Sequence, residues 1–415
     1  MKSEMERVVV TGMGVASPLG ITIPDYWDVL LAGQSGVEEL DDDEFGGLRT
    51  KIGARVTGYT ELDHFSRKEA RRMSRSSKLG VLAAVQAVNA ANIANGDVDQ
   101  TEVGVLVSSS IGGFSASDHF YRDYYLKGTA SPFIIPISMN HGPSTHISIR
   151  YGFQGPLLNL DAACASAAHS IGYVFSLIRS GVLKIGLAGA ADSPFSRGVM
   201  EAWCALRALS ERNNEPATAC RPFSADRDGM VLGEAAGVFI LEAESSACQR
   251  GVPILAEVVG YGASSDSSHL TQPTQEGPVF AMQRALTSAN ITAEKIDYIN
   301  AHATGTKWGD SNETTAIKQV YGEFAYDTPV VANKAAFGHS IAASGALELA
   351  GCILSLRDQI LPPTINYTTP DPECDLDYVT EGSRAHSMEY VMSNSFAFGG
   401  SNASLIIRKY RPVLN

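Results

Sequence analysis

Cysteine is scarce in this chain and forms no framework. The six residues stand at 164, 204, 220, 248, 352 and 374, with no C-x-x-C and no H-x-x-x-H spacing anywhere. That excludes a disulfide scaffold and the short-spaced ligand sets of structural zinc sites, and points to free thiols in a reducing cytosol. No apolar run approaches the roughly 18 to 20 residues that span a bilayer, so a membrane is not an expected partner. The start, Met1-Lys-Ser-Glu-Met-Glu-Arg7, lacks the apolar core of a signal peptide and leads straight into a strand. Positive charge is also short. Against 45 Asp and Glu there are 32 Lys and Arg, a formal net charge of −13, which argues against nucleic acid. Low-complexity segments and long linkers are missing, and Ser210 to Pro222 reads as a surface loop.

What is present is a large apolar fraction, 44%, and 39 glycines spread along 415 residues, the profile of an α/β protein with many tight turns. Arg7-Val-Val-Val-Thr-Gly-Met-Gly14 reads as a buried strand ending in a glycine turn, and Ala256-Glu-Val-Val-Gly-Tyr-Gly-Ala-Ser264 repeats it 248 residues later. A second pair of landmarks is the strand into Cys164 and the strand into His339, 175 apart, each followed by an alanine-rich helix. The picture is a duplicated α/β unit, with boundaries at 1–250 and 251–415 and about 73 extra residues in the first copy (248 − 175). Helices are expected over 77–91, 167–179 and 341–357, where apolar residues recur at helical spacing.

Three residues at Gly/Ala-rich turns carry the chemistry. They are Cys164 in Asp161-Ala-Ala-Cys-Ala-Ser-Ala-Ala-His169, His302 in Asn300-Ala-His-Ala-Thr-Gly-Thr306, and His339 in Lys334-Ala-Ala-Phe-Gly-His-Ser340. A thiol with two imidazoles suits acyl transfer, with sulfur as covalent carrier and the rings handling a proton or an oxyanion. Cys164 falls at a helix start, where backbone N–H groups and the dipole favour a thiolate, although a structural cysteine packed among alanines fits the same residues. His302 is either a surface loop residue or part of the site, and His339 either a helix cap or a neutral oxyanion donor. Lys334 could hold a carboxylate or face solvent. The turn Thr11-Gly-Met-Gly14 lacks the third glycine of a dinucleotide fingerprint, since Ser17 stands there. One basic run, Arg67, Lys68, Arg71, Arg72, Arg75 and Lys78, stands out in an acidic chain. At helical spacing Lys68, Arg71, Arg72 and Arg75 share a face, either merely solvated or built to meet an acidic partner.

Together these motifs, with Arg221-Pro-Phe-Ser-Ala-Asp-Arg-Asp-Gly229 and Asn394-Ser-Phe-Ala-Phe-Gly-Gly400, resemble the β-ketoacyl-acyl carrier protein synthases of the elongating type, including type II polyketide ketosynthases. The resemblance spans about Arg7 to Ile407. It implies a thiolase fold, two related α/β halves in a five-layer αβαβα arrangement, paired as a dimer. It further implies decarboxylative condensation of an acyl chain on Cys164 with malonyl-acyl carrier protein. His302 and His339 would polarise the malonyl thioester, and the N–H groups of Cys164 and Phe398 would receive the second oxyanion. Lys334 and Glu313 resemble an ion pair that organises the site, Thr304 and Thr306 the pantetheine contacts, and Phe398 and Ile111 the gate over the acyl pocket. Lys68, Arg71 and Arg72 match the carrier-docking surface. No metal and no resident cofactor is implied, since phosphopantetheine arrives on the carrier protein.

Several positions depart from that pattern. Ala397 precedes the gating phenylalanine where glycine is frequent, and Ala167 also replaces a glycine. Phe337 stands in place of a small hydroxyl residue, Lys307 in place of proline and Trp308 in place of a modest aliphatic one, which puts bulky rings near the pantetheine channel. Two pathway roles fit: fatty-acid elongation as a homodimer, or polyketide assembly beside a homologous chain-length subunit. Other classes are a non-catalytic chain-length partner, which typically lacks the thiol, and a thiolase acting on coenzyme A esters.

Overall fold

Nine strands form the framework in a computed structural model that describes residues 5–94 and 98–412. The first four residues of the start read for a signal peptide lie outside the described residues. In chain order the strands are β1 (Val8–Ala16), β2 (Val103–Ser108), β3 (Ile185–Asp192), β4 (Ala235–Ala243), β5 (Ala256–Ser265), β6 (Tyr298–Asn300), β7 (Val330–Val331), β8 (Tyr390–Phe396) and β9 (Ser401–Arg408). Their order across the sheet is β2-β3-β4-β1-β5-β9-β8-β6-β7. The pairing mirrors about the β1–β5 junction, where Val8–Val10 run antiparallel to Ala256–Val258. On each side two antiparallel pairings come first, then parallel pairing towards the edge.

Six long helices complete the layers: α1 (Arg75–Ala90), α2 (Gly142–Tyr151), α3 (Ser166–Arg179), α4 (Glu276–Ala289), α5 (Lys307–Tyr321) and α6 (Ser344–Asp358). α3 packs on β2, β3 and β4 and also on β5 and β9, while α6 packs on β8 and β9 and also on β4 and β1. Both therefore lie between the halves of the sheet. α1 with α2 covers the outer face of one half, and α4 with α5 the outer face of the other, giving the five layers the resemblance implies. α6 is buried along almost its whole length, as an inner-layer helix must be, including Leu347, Leu349, Ile353 and Leu356.

The duplication is visible in atomic detail. A methyl group on Gly12 or Gly14 would stand 2.2 Å from the Ala87 carbonyl oxygen and 2.1 Å from that of Ala83. On Gly260 or Gly262 it would meet the carbonyls of Ala285 and Ala281 at 2.5 and 2.1 Å. Each glycine pair lets an alanine-faced helix settle on its strand, so these are packing glycines and not a nucleotide turn. The second landmark needs correction. α3 and α6 are each entered through one 3-10 turn whose first residue is left-handed, Ala163 (φ 47°) and Ile341 (φ 50°), 178 residues apart (341 − 163). The counterpart of Cys164 is therefore Ala342, not His339. His339 lies in the approach to that turn, and the first copy's excess is 70 residues (248 − 178).

The basic run also differs from expectation. Ser66 and Glu69 form a capping box for a helix of only four residues, Arg67–Ala70, and the chain leaves it before Ser74 caps α1. Lys68, Arg71 and Arg72 are exposed, but Arg75 turns inward to Glu234 (2.7 Å) and Lys78 to Glu61 (2.8 Å). One continuous helical face holding Arg75 with the others does not form.

Candidate active site

Cys164 sits in the 3-10 turn Ala163–Ala165 at the head of α3. The left-handed Ala163 is a strained position for a residue with a Cβ. The Ser166 hydroxyl holds it, accepting the Ala162 N–H (2.9 Å) and donating to the Ala163 carbonyl (2.8 Å). His302 follows β6, and its loop is pinned from below. Glu313 on α5 accepts the N–H groups of His302 and Ala303, both at 2.8 Å, and Asp310 accepts those of Gly305 (3.1 Å) and Phe223 (2.9 Å). The buried Arg227 donates to the Thr306 and Lys307 carbonyls at 3.1 and 2.9 Å. The Arg221-to-Gly229 motif is thus a brace for the His302 loop.

These elements bring the three expected residues together. Cys164 Sγ lies 3.0 Å from His339 Nε2, and the His302 and His339 rings stand 5.6 Å apart at 87°. One ligand atom from each of Cys164, His302 and His339 lies within 4.8 Å of the others. A metal ion does not suit this cluster, because the Lys334 ammonium faces His302 Nδ1 at 3.3 Å and would oppose a second cation. Lys334 is fully buried and also donates to the His302 carbonyl. Its ion-pair partner is Glu348, on the inner helix α6. The expected pairing with Glu313 is not found, because both carboxylate oxygens of Glu313 are taken by backbone N–H groups.

Burial sets the protonation states. It pushes the Cys164 thiol up to about 11, against the Lys334 charge and the N–H groups of Phe398 and Cys164 that point at the sulfur. The helix start therefore does not by itself yield a resting thiolate. Burial, reinforced by Lys334, holds His302 and His339 well below the usual imidazole range, so both are neutral. Burial raises Glu313 to about 7, opposed by its two backbone donors, and raises Glu348 against the attraction of Lys334.

A cavity of about 340 Å³ leads to the sulfur, lined by Cys164, His302, His339, Glu313, Thr304, Thr306 and Phe398 among others. Thr306 caps α5 and its hydroxyl stands 3.1 Å from that of Thr304. Trp308 and Lys307 line the rim, and Trp308 is 78% exposed. Phe337 does not belong to the channel: it is buried in the core with its ring 6.4 Å from Tyr26. Ile111 does not line this cavity but shares an apolar cluster with Phe398, whose ring stacks on Trp203 at 6.2 Å. Lys68, Arg71 and Arg72 do not line it.

Sequence reasoning missed four supporting residues. Glu348 had a signal, a lone carboxylate between Leu347 and Leu349 in an apolar helix. Ser344, whose hydroxyl is 2.7 Å from His339 Nδ1, had none. Nor did Asp192 at the end of β3, which accepts from the Ser109 hydroxyl (2.6 Å) and from the N–H groups of Ile111 and Ala342 (both 3.2 Å). Trp203 had no signal either.

The sequence matches the family models described as beta-ketoacyl synthase, N-terminal domain, over residues 5–247, and C-terminal domain, over residues 255–368. It is 39% identical over 405 residues to nodulation protein E of Rhizobium meliloti, covering 97% of this chain and 99% of that one. It is 37% identical over 412 residues to 3-oxoacyl-[acyl-carrier-protein] synthase 2 of Synechocystis sp., covering 98% and 99%. The solved structure of the ishigamide ketosynthase/chain length factor superposes with a TM-score of 0.92 at 33% identity, over 98% of this chain and 100% of that one. The chain therefore belongs to the β-ketoacyl synthase family and has its thiolase fold.

Proposed function

We propose that the chain is an acyltransferase that condenses a Cys164-bound acyl group with malonyl-acyl carrier protein, releasing CO2 and a β-ketoacyl-acyl carrier protein, in fatty acid or type II polyketide synthesis. The observation that carries this is the thiol within 3.0 Å of one neutral imidazole, a second imidazole facing it, and a cavity open to both. In loading, Cys164 attacks the acyl thioester as its proton passes to His339 Nε2, and the proton leaves with the pantetheine sulfur. The N–H groups of Cys164 and Phe398 steady the tetrahedral oxyanion. In condensation, loss of CO2 leaves negative charge on the malonyl thioester oxygen, which His302 and His339 stabilise as N–H donors while Lys334 adds positive potential. The enolate carbon then attacks the Cys164 thioester and the acyl C–S bond breaks. The released Cys164 thiolate takes up a proton from solvent to return to the thiol, and the β-ketoacyl product leaves on the carrier.

Glu313 anchors the His302 backbone, Thr304 and Thr306 contact the pantetheine arm, and Phe398 with Ile111 gates the acyl pocket. The carrier protein docks on Lys68, Arg71 and Arg72. The chain works without a resident metal or cofactor, in the cytoplasm, as two α/β halves at 1–250 and 251–415. It pairs with a second copy or a homologous chain-length subunit. Exposed Phe114, Tyr121, Tyr124, Tyr125 and Leu126 on the helix Phe114–Lys127 support pairing. The test is to supply an acyl-carrier and a malonyl-carrier thioester together. One CO2 is expected per β-ketoacyl-carrier formed. Conversion of acetoacetyl-coenzyme A and free coenzyme A into two acetyl-coenzyme A without any carrier would instead make the protein a thiolase.

A further inference from the structure

The N–H groups of Cys164 and Phe398 point at the same sulfur but come from opposite halves of the molecule. One belongs to the 3-10 turn at the head of α3, the other to the turn between β8 and β9. Two such donors serve one oxyanion only if their relative aim is fixed to within about 0.5 Å. The β8–β9 turn does not supply that rigidity itself. The Ala397 N–H closes it on the Ser401 carbonyl at 2.9 Å, and Gly399 and Gly400 inside it are both left-handed, φ 81° and 75°. Adjacent glycines leave that stretch of backbone free to take other conformations. On one side the turn is held by the segment 266–274. Gly399 donates to the Leu270 carbonyl (2.7 Å) and Gly400 accepts the Asp266 N–H (2.9 Å), yet Leu270 is itself 74% exposed.

On the other side a single side chain reaches it. His169, on α3 five residues after Cys164, is half-buried, with Nε2 2.8 Å from the Ser401 hydroxyl and Nδ1 2.7 Å from that of Tyr261 on β5. A neutral imidazole has one donor and one acceptor, and a hydroxyl can serve as either, so the ring bonds both at once. Burial holds His169 below the usual imidazole range, which keeps it in that neutral form. Among the described residues this is the only side-chain hydrogen bond between α3 and the turn 397–401. No step derived above uses it.

We propose that His169 is a positioning residue: by tying Ser401 to the helix that carries Cys164, it keeps the Phe398 N–H in register with the Cys164 N–H around the acyl oxyanion. The inference rests on the ketosynthase reading. Its effect is confined to the steps that place an oxyanion on the acyl carbonyl, which are loading and carbon–carbon bond formation. Loss of CO2 from the malonyl thioester relies on His302 and His339, which His169 does not touch. Without the tie, the two parts of condensation should therefore come apart. The C–CO2 bond still breaks and its electron pair passes into the enolate. An enolate that meets a poorly held thioester takes a proton from water instead, leaving hydroxide, and departs as acetyl-carrier protein.

Two variants test this. Ser401→Ala removes the tie and leaves α3 untouched, and His169→Phe keeps the ring's bulk while removing both bonds. With either, acyl loading from an acyl-carrier thioester, followed by intact mass, should slow about 10-fold. On protein first loaded to completion and then given malonyl-carrier, CO2 per β-ketoacyl-carrier should rise from one to about two or more, with acetyl-carrier accounting for the excess. Ser401→Thr, which keeps the hydroxyl, should load at the unsubstituted rate and release one CO2 per product. A ratio that stays at one in both variants, whether or not the rates fall, would overturn the proposal while the unsubstituted protein still loads and condenses. If the unsubstituted protein does neither, the ketosynthase reading itself fails.

Discussion

Cys164 is held as a thiol by burial, yet it is placed as a nucleophile against His339 Nε2. The two facts fit if the proton leaves during attack instead of beforehand. The sign follows from the directions. The thiol is raised from 9.0 to about 11 and His339 is depressed well below 6.5, so between those limits neither group changes its protonation. Acyl loading should therefore vary by less than about threefold from about pH 6.5 to about pH 9. A stopped-assay profile rising about tenfold per pH unit would show a preformed thiolate and contradict general-base loading. The three residues that meet at the candidate site were legible because each sits at a small-residue turn with a distinctive chemistry. The charge that organises them was not. Lys334 reaches Glu348, 14 residues on and buried in an inner helix, while Glu313, nearer the His302 loop, spends both oxygens on backbone N–H groups. Spacing along the chain carries no record of which carboxylate faces inward. Breaking such a buried pair costs about 3–5 kcal/mol, so Lys334 and Glu348 stand or fall together.

Among the elements, the glycine-marked strands and apolar helices were readable because packing imposes period and size: Gly12 and Gly14 admit α1 as Gly260 and Gly262 admit α4. The basic segment was misread because helical spacing was extended across a break. Ser66 with Glu69 and then Ser74 mark two separate helix starts, a signal present in the sequence that separates Arg75 and Lys78 from the exposed cations. What remains exposed besides Arg67 is Lys68, Arg71 and Arg72, in a chain otherwise rich in acid. Reversing all three to glutamate should raise KM for a carrier-bound thioester about tenfold or more while leaving a small pantetheine thioester within about twofold. Steady-state kinetics on both substrates decides it, and equal losses on the two would reject the segment as a docking surface.

Over the whole molecule, the site exists because a duplicated unit closes on itself. One half supplies Cys164 at the head of α3, and the other supplies His302 after β6 and His339 on the approach to α6. The repeat was visible in the sequence, but its exact register was not. The second half places His339 ahead of its helical turn, so sequence symmetry pointed at the wrong counterpart for Cys164. That asymmetry is what allows a thiol and an imidazole to meet across the pseudo-symmetric pair of helices. The central claim is that an acyl chain rides on this one sulfur. Intact-mass and peptide mapping after incubation with a panel of acyl-carrier thioesters tests it most directly. One acyl group is expected on the Cys164 peptide, and none on a folded Cys164→Ala variant. Undiminished acylation of that variant, or acyl groups only on another cysteine, would contradict the account.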